Sequence, residues 1–355
     1  MTRCWADRAA LAERAVTHRH LRRLGGVLPG TRIGRVCWPR PVPAPPAQWH
    51  YWWQAHLLDC LVDAQLREPT RRRATVIAQL ARTVWLRNLG RWTNAYYDDI
   101  AWLGLALQRA GPLVGRAGPA ALTAVTKQLR EGWTSDGGGG IWWRRGDDFK
   151  NAPANGPAAI LLARRGELGL AAAITDWMAA TLIDPDTGLV VDGVRVRPDG
   201  SVRLVETAIY TYCQGVYLGA CVELAERDGD PRWARRAAAV LAAVTRRVAG
   251  ADGVIPGGTG GGDGGLFNGI LARYLADAAR RRPELAADAG RLVLASAESV
   301  WANRAEAEAG PVFAEDWRRP ARIPARGSPE SGLSVQLSGW MLLEAAARLT
   351  VGQRR

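Results

Sequence analysis

Residues 94–107 read NAYYDDIAWLGLAL. Two adjacent aspartates, Asp98 and Asp99, sit among two tyrosines and a tryptophan, and an apolar helical pattern follows at once. A polar, aromatic loop feeding an apolar helix is the unit on which the rest of the chain is built. Apolar residues at i, i+3, i+4 and i+7 predict helices over 5–24, 49–66, 70–88, 98–110, 118–132 and 155–165. The same spacing predicts six more over 168–182, 206–227, 231–249, 265–281, 285–302 and 327–349. Pro or Gly punctuates nearly every gap. Only 188–206, GLVVDGVRVRPDGSVRLVE, reads as strand, a hairpin about Asp199-Gly200 and a small appendage between helices.

Twelve helices in series make an all-α protein. They form either an open solenoid or a closed (α/α)6 toroid of six hairpins. A solenoid carries a fixed sequence period, and none is found. The loops are unequal and rich in unusual residues, as expected where a closed ring gathers them around one mouth. The expected layout is one domain. An N-terminal helix and the Pro-rich connector (1–47) pack on a barrel formed by 48–355.

The 355 residues are 48% hydrophobic and 23% charged, the composition of a soluble globular chain. Lys and Arg number 47 against 34 Asp and Glu, a net charge of +13. Arginine carries nearly all of it, Lys127 and Lys150 being the only lysines, and most is read as solvated surface. No run of about 18 apolar residues predicts a membrane span. The N-terminus lacks the apolar segment of a secretory signal, which predicts a cytoplasmic protein. Five cysteines without metal spacing read as free thiols. The four histidines lie within the first 56 residues without the spacing of a metal site, and no cofactor or metal is expected.

Sixteen Trp against 7 Tyr and 3 Phe point to flat partners with hydroxyls. Sugars fit this better than nucleobases, whose sites would interleave Lys and Arg. Glycoside hydrolysis needs two carboxylates, about 5–5.5 Å apart for a retaining route and about 6.5–9.5 Å for an inverting one. Consecutive aspartates at a helix start can reach the shorter separation, and two close carboxylates cannot easily both ionise. One would keep its proton and act as acid. The same pair also reads as a helix cap. A second pair, Asp147-Asp148, lies beside Arg144, Arg145 and Lys150 and reads as a charge-paired loop. The run GGTGGGDGG (257–265) lacks the residues of a phosphate loop and reads as a flexible rim.

Seven segments taken together resemble glycoside hydrolase family 76, endo-acting α-1,6-mannanases. They are YWWQAHLLDCLVDA, YYDDIAWLGLAL, GGGGIWWRR, FKNAPANGPAAILLAR, GLVVDGV, YTYCQGVYLGA and GLFNGILARYL, in order across about residues 50–275. The resemblance implies an (α/α)6 barrel and a retaining mechanism, with Asp98 as nucleophile and Asp99 as acid/base. It implies that Trp142, Trp143, Asn151, Asn155, Asp192, Tyr210, Tyr212 and Gln214 line the groove. Tyr97, Trp102, Lys150 and Phe267, in the same motifs, and Asn94, two residues before the second of those motifs, are assigned to the sugar with them. Leu103 and Cys213 depart from the family pattern, the first as a packing change and the second at a sugar contact. The expected partner is an α-mannan or mannooligosaccharide, not nucleic acid, and the chain is expected to act as a monomer. The rival reading is a non-catalytic mannan-binding protein, or a transglycosylase, on the same fold.

Overall fold

The computed structural model describes residues 4–39, 49–257 and 261–350. Most of the Pro-rich connector (40–48) and residues 258–260 of the glycine-rich rim lie outside the described residues. Twelve α-helices occur among the described residues. They are α1 (Trp5–His20), α2 (Tyr51–Arg67), α3 (Arg71–Arg87), α4 (Tyr97–Ala110), α5 (Ala117–Glu131) and α6 (Ala152–Arg164). The second half adds α7 (Leu168–Thr181), α8 (Thr211–Arg227), α9 (Pro231–Arg247), α10 (Phe267–Arg281), α11 (Ala286–Ala302) and α12 (Leu333–Thr350).

The even-numbered helices form a closed inner ring. Each packs on the next, α2 on α4 through to α10 on α12, and α12 returns to α2. This closure makes the architecture an (α/α)6 toroid rather than a solenoid. Composition dictates the layering. The inner helix α6, APANGPAAILLAR, is the most apolar case, buried at every position but its last. Outer helices such as α9, PRWARRAAAVLAAVTRR, bury one stripe (Trp233, Ala237, Val240, Leu241, Val244) and turn arginines to solvent. Tight approach between inner helices requires glycine at Gly156, where a Cβ would lie 2.4 Å from Val216 Cγ2.

The inner ring is not wholly apolar. Asp59 and Asp63 on α2 pair with Arg109 on α4 and Arg273 on α10, tying three inner helices together. Such a cluster contributes register more than net stability, because burying the charges costs much of what their attraction returns. All five cysteines are free thiols.

Among the described residues seven short strands form three small sheets: β1 (Leu21–Arg22) with β2 (Ile33–Gly34), β3 (Phe149–Asn151) with β4 (Val191–Val196) and β5 (Val202–Ile209), and β6 (Ala305–Ala307) with β7 (Gly310–Val312). The hairpin anticipated from the sequence is β4–β5, but it is no appendage. Strand β3 joins it through the pairings Phe149–Arg195, Lys150–Val194 and Asn151–Gly193. A Cβ at Gly193 would stand 2.4 Å from the Lys150 carbonyl oxygen, so only glycine allows this approach. Strand β5 also claims Glu206–Ile209, so α8 starts at Thr211 rather than 206. Helix α1 stops at His20 because Leu21 and Arg22 pair with β2. Helix α6 starts at Ala152, earlier than 155, because Asn151 caps it and Pro153 suits its first turn. Helix α12 starts at Leu333 rather than 327, after a 3-10 turn at Pro329–Ser331.

Buried amides recur at the loop end of the inner helices. Gln54, Asn155, Gln214 and Gln336 each accept from the backbone N–H and donate to the carbonyl of one loop residue. Those residues are Gly34, Ile141, Val190 and Phe313 in turn. Each amide also donates to a second carbonyl, that of Trp49, Asn151, Tyr210 or Glu330. Mouth loops are thereby stapled to the ring one at a time, with their buried polar groups satisfied.

Candidate active site

Helix α4 opens at the mouth of the ring. The preceding turn is fixed by Asn94, whose Oδ1 accepts from the Tyr96 amide at 2.8 Å and whose Nδ2 donates to Asp99 Oδ2 at 2.6 Å. Residues 142–145 run alongside: Tyr97 N–H donates to the Trp143 carbonyl at 2.9 Å, and Arg145 N–H to that of Ala95 at 2.8 Å. This pairing brings the Trp143 indole over the helix start, where Nε1 donates to Asp98 Oδ2 at 3.0 Å. Asp98 Oδ1 accepts the Asp99 amide at 2.8 Å. The pair is a helix start and something more, because one cap contact is joined by a donor from a distant loop.

The two carboxyls differ. Burial raises both above the ordinary carboxylate range. Two N–H donors pull Asp98 back toward the ionised form, opposed by the charge of Asp263. Asp99 is pushed up well beyond the usual range, by burial first and then by the charge of Asp98, with the Asn94 amide as the main counterweight. Asp98 therefore holds the charge and Asp99 the proton. Asp98 faces a cleft of about 470 Å³.

Aromatic faces dominate that cleft. Trp52, Trp102 and Trp143 line it with Phe149, Tyr210, Tyr212 and Phe267. Tyr212 and Phe267 stack with centroids 3.9 Å apart and planes within 2°. His56 packs behind Trp102 and Trp52, with centroids 4.7 and 5.5 Å away, and burial holds it well below the ordinary histidine range, hence neutral. Asn151, Asp192, Asp263 and Arg195 add polar groups. Asp192 Oδ1 is buried without a partner, and burial, then the Glu206 charge, pushes that carboxyl up to about 6. Asp263 Oδ1 accepts from both Trp52 Nε1 (3.1 Å) and Trp53 Nε1 (2.8 Å). Arg195 is the one cation among the described lining residues, and its guanidinium is engaged by Asp148 at 2.7 Å and Glu206 at 3.3 Å. The cleft is acidic and flat-walled, suited to a neutral ligand with apolar faces and many hydroxyls.

Of the residues singled out from the sequence, Asp98, Trp102, Trp143, Asn151, Asp192, Tyr210, Tyr212 and Phe267 line the cleft. Asp99, next to Asp98 at the start of α4, and Asn94 are not among the lining residues but are joined to each other by their hydrogen bond, and Asp99 lies close enough to the lining Asp263 to feel its charge. Five others sit elsewhere. Asn155 and Gln214 are fully buried loop staples. Lys150 is fully buried, and its Nζ donates to the carbonyls of Thr134, Asp136 and Gly139 and to Thr134 Oγ1. Trp142 points away from Trp143, as successive residues of an extended segment do, and lies beneath the Lys150 ammonium at 4.4 Å. Tyr97 is buried against Gly132, where a Cβ would come 2.4 Å from its ring.

Both departures from the family pattern resolve into burial. Leu103 is core packing, as expected, but Cys213 is also fully buried and is not among the residues that line the cleft. The Asp147-Asp148 loop is charge-paired, though mainly by Arg195 and Arg203 of the hairpin, with Arg144 on Asp147; Lys150 takes no part. Asp263, Trp52, Phe149 and Arg195 were not anticipated. Asp263 is a lone acid in a glycine run, just before a motif that already supplied Phe267.

A sequence profile of glycosyl hydrolase family 76 matches residues 9–348. The fold superposes on the α-1,6-mannanase GH76A of Salegentibacter sp. HEL1_6 with a TM-score of 0.84, at 29% identity, covering 97% of this chain and 99% of that one. An inactive variant of the same enzyme, with two consecutive aspartates replaced by asparagine and α-1,6-mannotriose bound, matches equally, at 28% identity. A Listeria innocua protein matches at 27% identity, with a TM-score of 0.84 and 98% of each chain covered. None of the curated proteins matches the chain.

Proposed function

Because the chain belongs to glycosyl hydrolase family 76, we propose that it cleaves α-1,6-mannosidic linkages by a retaining double displacement, with Asp98 as nucleophile and Asp99 as general acid/base. The observation that carries this is the contrast between two adjacent carboxyls at one helix start. Asp98 accepts two N–H donors and lines the cleft, while Asp99 is driven to keep its proton. The helix N-terminus adds its own preference for an anion at Asp98.

The steps follow from that contrast. Asp98 attacks the anomeric carbon, and the C1–O6 bond breaks as Asp99 passes its proton to the leaving O6. A glycosyl ester on Asp98 results. The Asp99 carboxylate then takes a proton from water, the hydroxide attacks C1, and Asp98 is released as carboxylate. Asp263 and Asp192 supply negative potential to the cationic character that develops at C1. The Tyr212–Phe267 stack and the tryptophans receive the C–H faces of neighbouring mannoses. Asp192 Oδ1, without a protein partner, awaits a sugar hydroxyl.

The test is release of reducing ends from an α-1,6-mannooligosaccharide by the wild type, Asp98→Asn and Asp99→Asn, with the first-formed anomer read by NMR. The wild type is expected to release the α-anomer first, and each variant to lose turnover while still binding the oligosaccharide. Binding without release by the wild type, or full activity in either variant, sinks the assignment.

A further inference from the structure

A second and larger cleft, about 790 Å³, lies between the outer helices α1 and α3 and shares no described lining residue with the catalytic cleft. The two clefts meet different parts of α2. Trp52 lines one, while Leu61, about 14 Å along the helix at 1.5 Å per residue, and Glu68, just past its C-terminal end, line the other.

Six arginines line this second cleft: Arg14, Arg22, Arg23, Arg32, Arg72 and Arg73. Its carboxylates are already engaged. Glu13 holds Arg73 at 2.5 Å and Arg67 at 2.9 Å, and Glu68 pairs with Arg67 at 3.9 Å. The remaining guanidiniums keep their charge. Arg14 donates to the Ala309 carbonyl, Arg22 to those of His18 and Leu21, and Arg32 to that of Thr31. The side chains of Arg23 and Arg72 make no ion pair or hydrogen bond among the described residues. No Trp, Tyr or Phe is among the described lining residues, so bases would find nothing there to stack on. Beside it, the turn between Arg23 and Arg32 holds out Val27 and Leu28, 75% and 45% exposed.

We infer that this cleft binds a phosphate group, presented by a soluble phosphate ester or by a lipid headgroup. Six arginines against two carboxylates line one concave surface, and the Arg23 and Arg72 guanidiniums are left without a partner among the described residues; such forks match phosphate oxygens bidentately. The Val27-Leu28 tip suits a lipid interface, because an apolar tip beside basic side chains is the pattern of surface anchoring. The site also gives a role to part of the +13 charge that sugar chemistry leaves unused.

The experiment uses the full chain at low ionic strength. Calorimetric titration with inorganic pyrophosphate is run beside co-sedimentation with phosphatidylcholine vesicles, with and without phosphatidylglycerol. Arg23→Ser/Arg72→Ser should weaken binding about thirtyfold, from roughly fivefold per basic residue. The control Arg246→Ser/Arg247→Ser, on the exposed face of α9, should change it little, and mannooligosaccharide turnover should stay constant in both. Loss of vesicle binding in Val27→Ser/Leu28→Ser with pyrophosphate binding intact assigns the lipid source; intact binding of both probes assigns the soluble one. Three results overturn the inference: neither probe binding, equal losses in the groove and control variants, or an oligonucleotide binding more tightly than pyrophosphate at equal charge.

Discussion

Trp143→Phe keeps an aromatic ring against the sugar and removes one proton, the indole N–H that reaches Asp98 Oδ2 at 3.0 Å. A hydrogen bond to a charged acceptor contributes about 1.5–3 kcal/mol net. One pKa unit corresponds to about 1.4 kcal/mol, so the Asp98 pKa should rise by about 1–2 units. The sign follows from the role. The nucleophile must be ionised, the indole N–H favours the ionised form, and its loss delays ionisation to higher pH. The acid limb of kcat/KM should therefore move up by about 1–2 units. Activity below the limb should fall about 10–100-fold, and activity on the plateau much less. Initial rates of reducing-end release across the pH range, for wild type and variant, give the two limbs directly. A uniform loss at every pH with an unmoved acid limb would refute the reasoning and leave Trp143 as a sugar platform only.

Other consequences concern stability. The Asp99 carboxyl sits above its unfolded value near 3.9 because of burial and the Asp98 charge, so folding takes up a proton and stability falls as pH rises through the folded value. Asp99→Asn should thus raise Tm by a few degrees at pH 7 and by nothing near pH 3, as thermal melts at the two pH values will show. Lys150→Met strands three carbonyls and a hydroxyl inside the protein and should cost about 3 kcal/mol or more in urea unfolding. A mild loss would mean that water reaches those acceptors. Gly156→Ala drives a Cβ into Val216 and should cost about 1–3 kcal/mol. Adding Val216→Ala should recover part of it, and a strictly additive pair would count against direct contact.

The ring was legible because twelve helix-length apolar patterns follow one another without a fixed period, and their unequal loops, rich in unusual residues, fit one mouth. The candidate site was legible by residue type more than by role. Asn155 and Gln214 look like sugar ligands in sequence, since a polar amide in an apolar helix suits either a ligand or a buried carbonyl. Which it meets depends on a loop that folds back over the helix, and that is tertiary information. Lys150 was misread for the same reason. Arg195 escaped notice because its partners, Asp147 and Asp148, lie almost fifty positions away on the neighbouring strand connection. Asp263 escaped because a glycine run suggests mobility, whereas two indoles hold its carboxylate in place.

The amide staples carry an evolutionary corollary. Gln54, Asn155, Gln214 and Gln336 clasp their loops independently, each through a single residue's N–H and C=O, which any amino acid but proline supplies. The clasp reads backbone at one packed position, so it asks nothing of the loop residues on either side of that position. Loop length and composition can then drift one socket at a time, altering which sugars are grasped while the scaffold's assembly goes untouched. A toroid of this kind behaves as a chuck with interchangeable jaws.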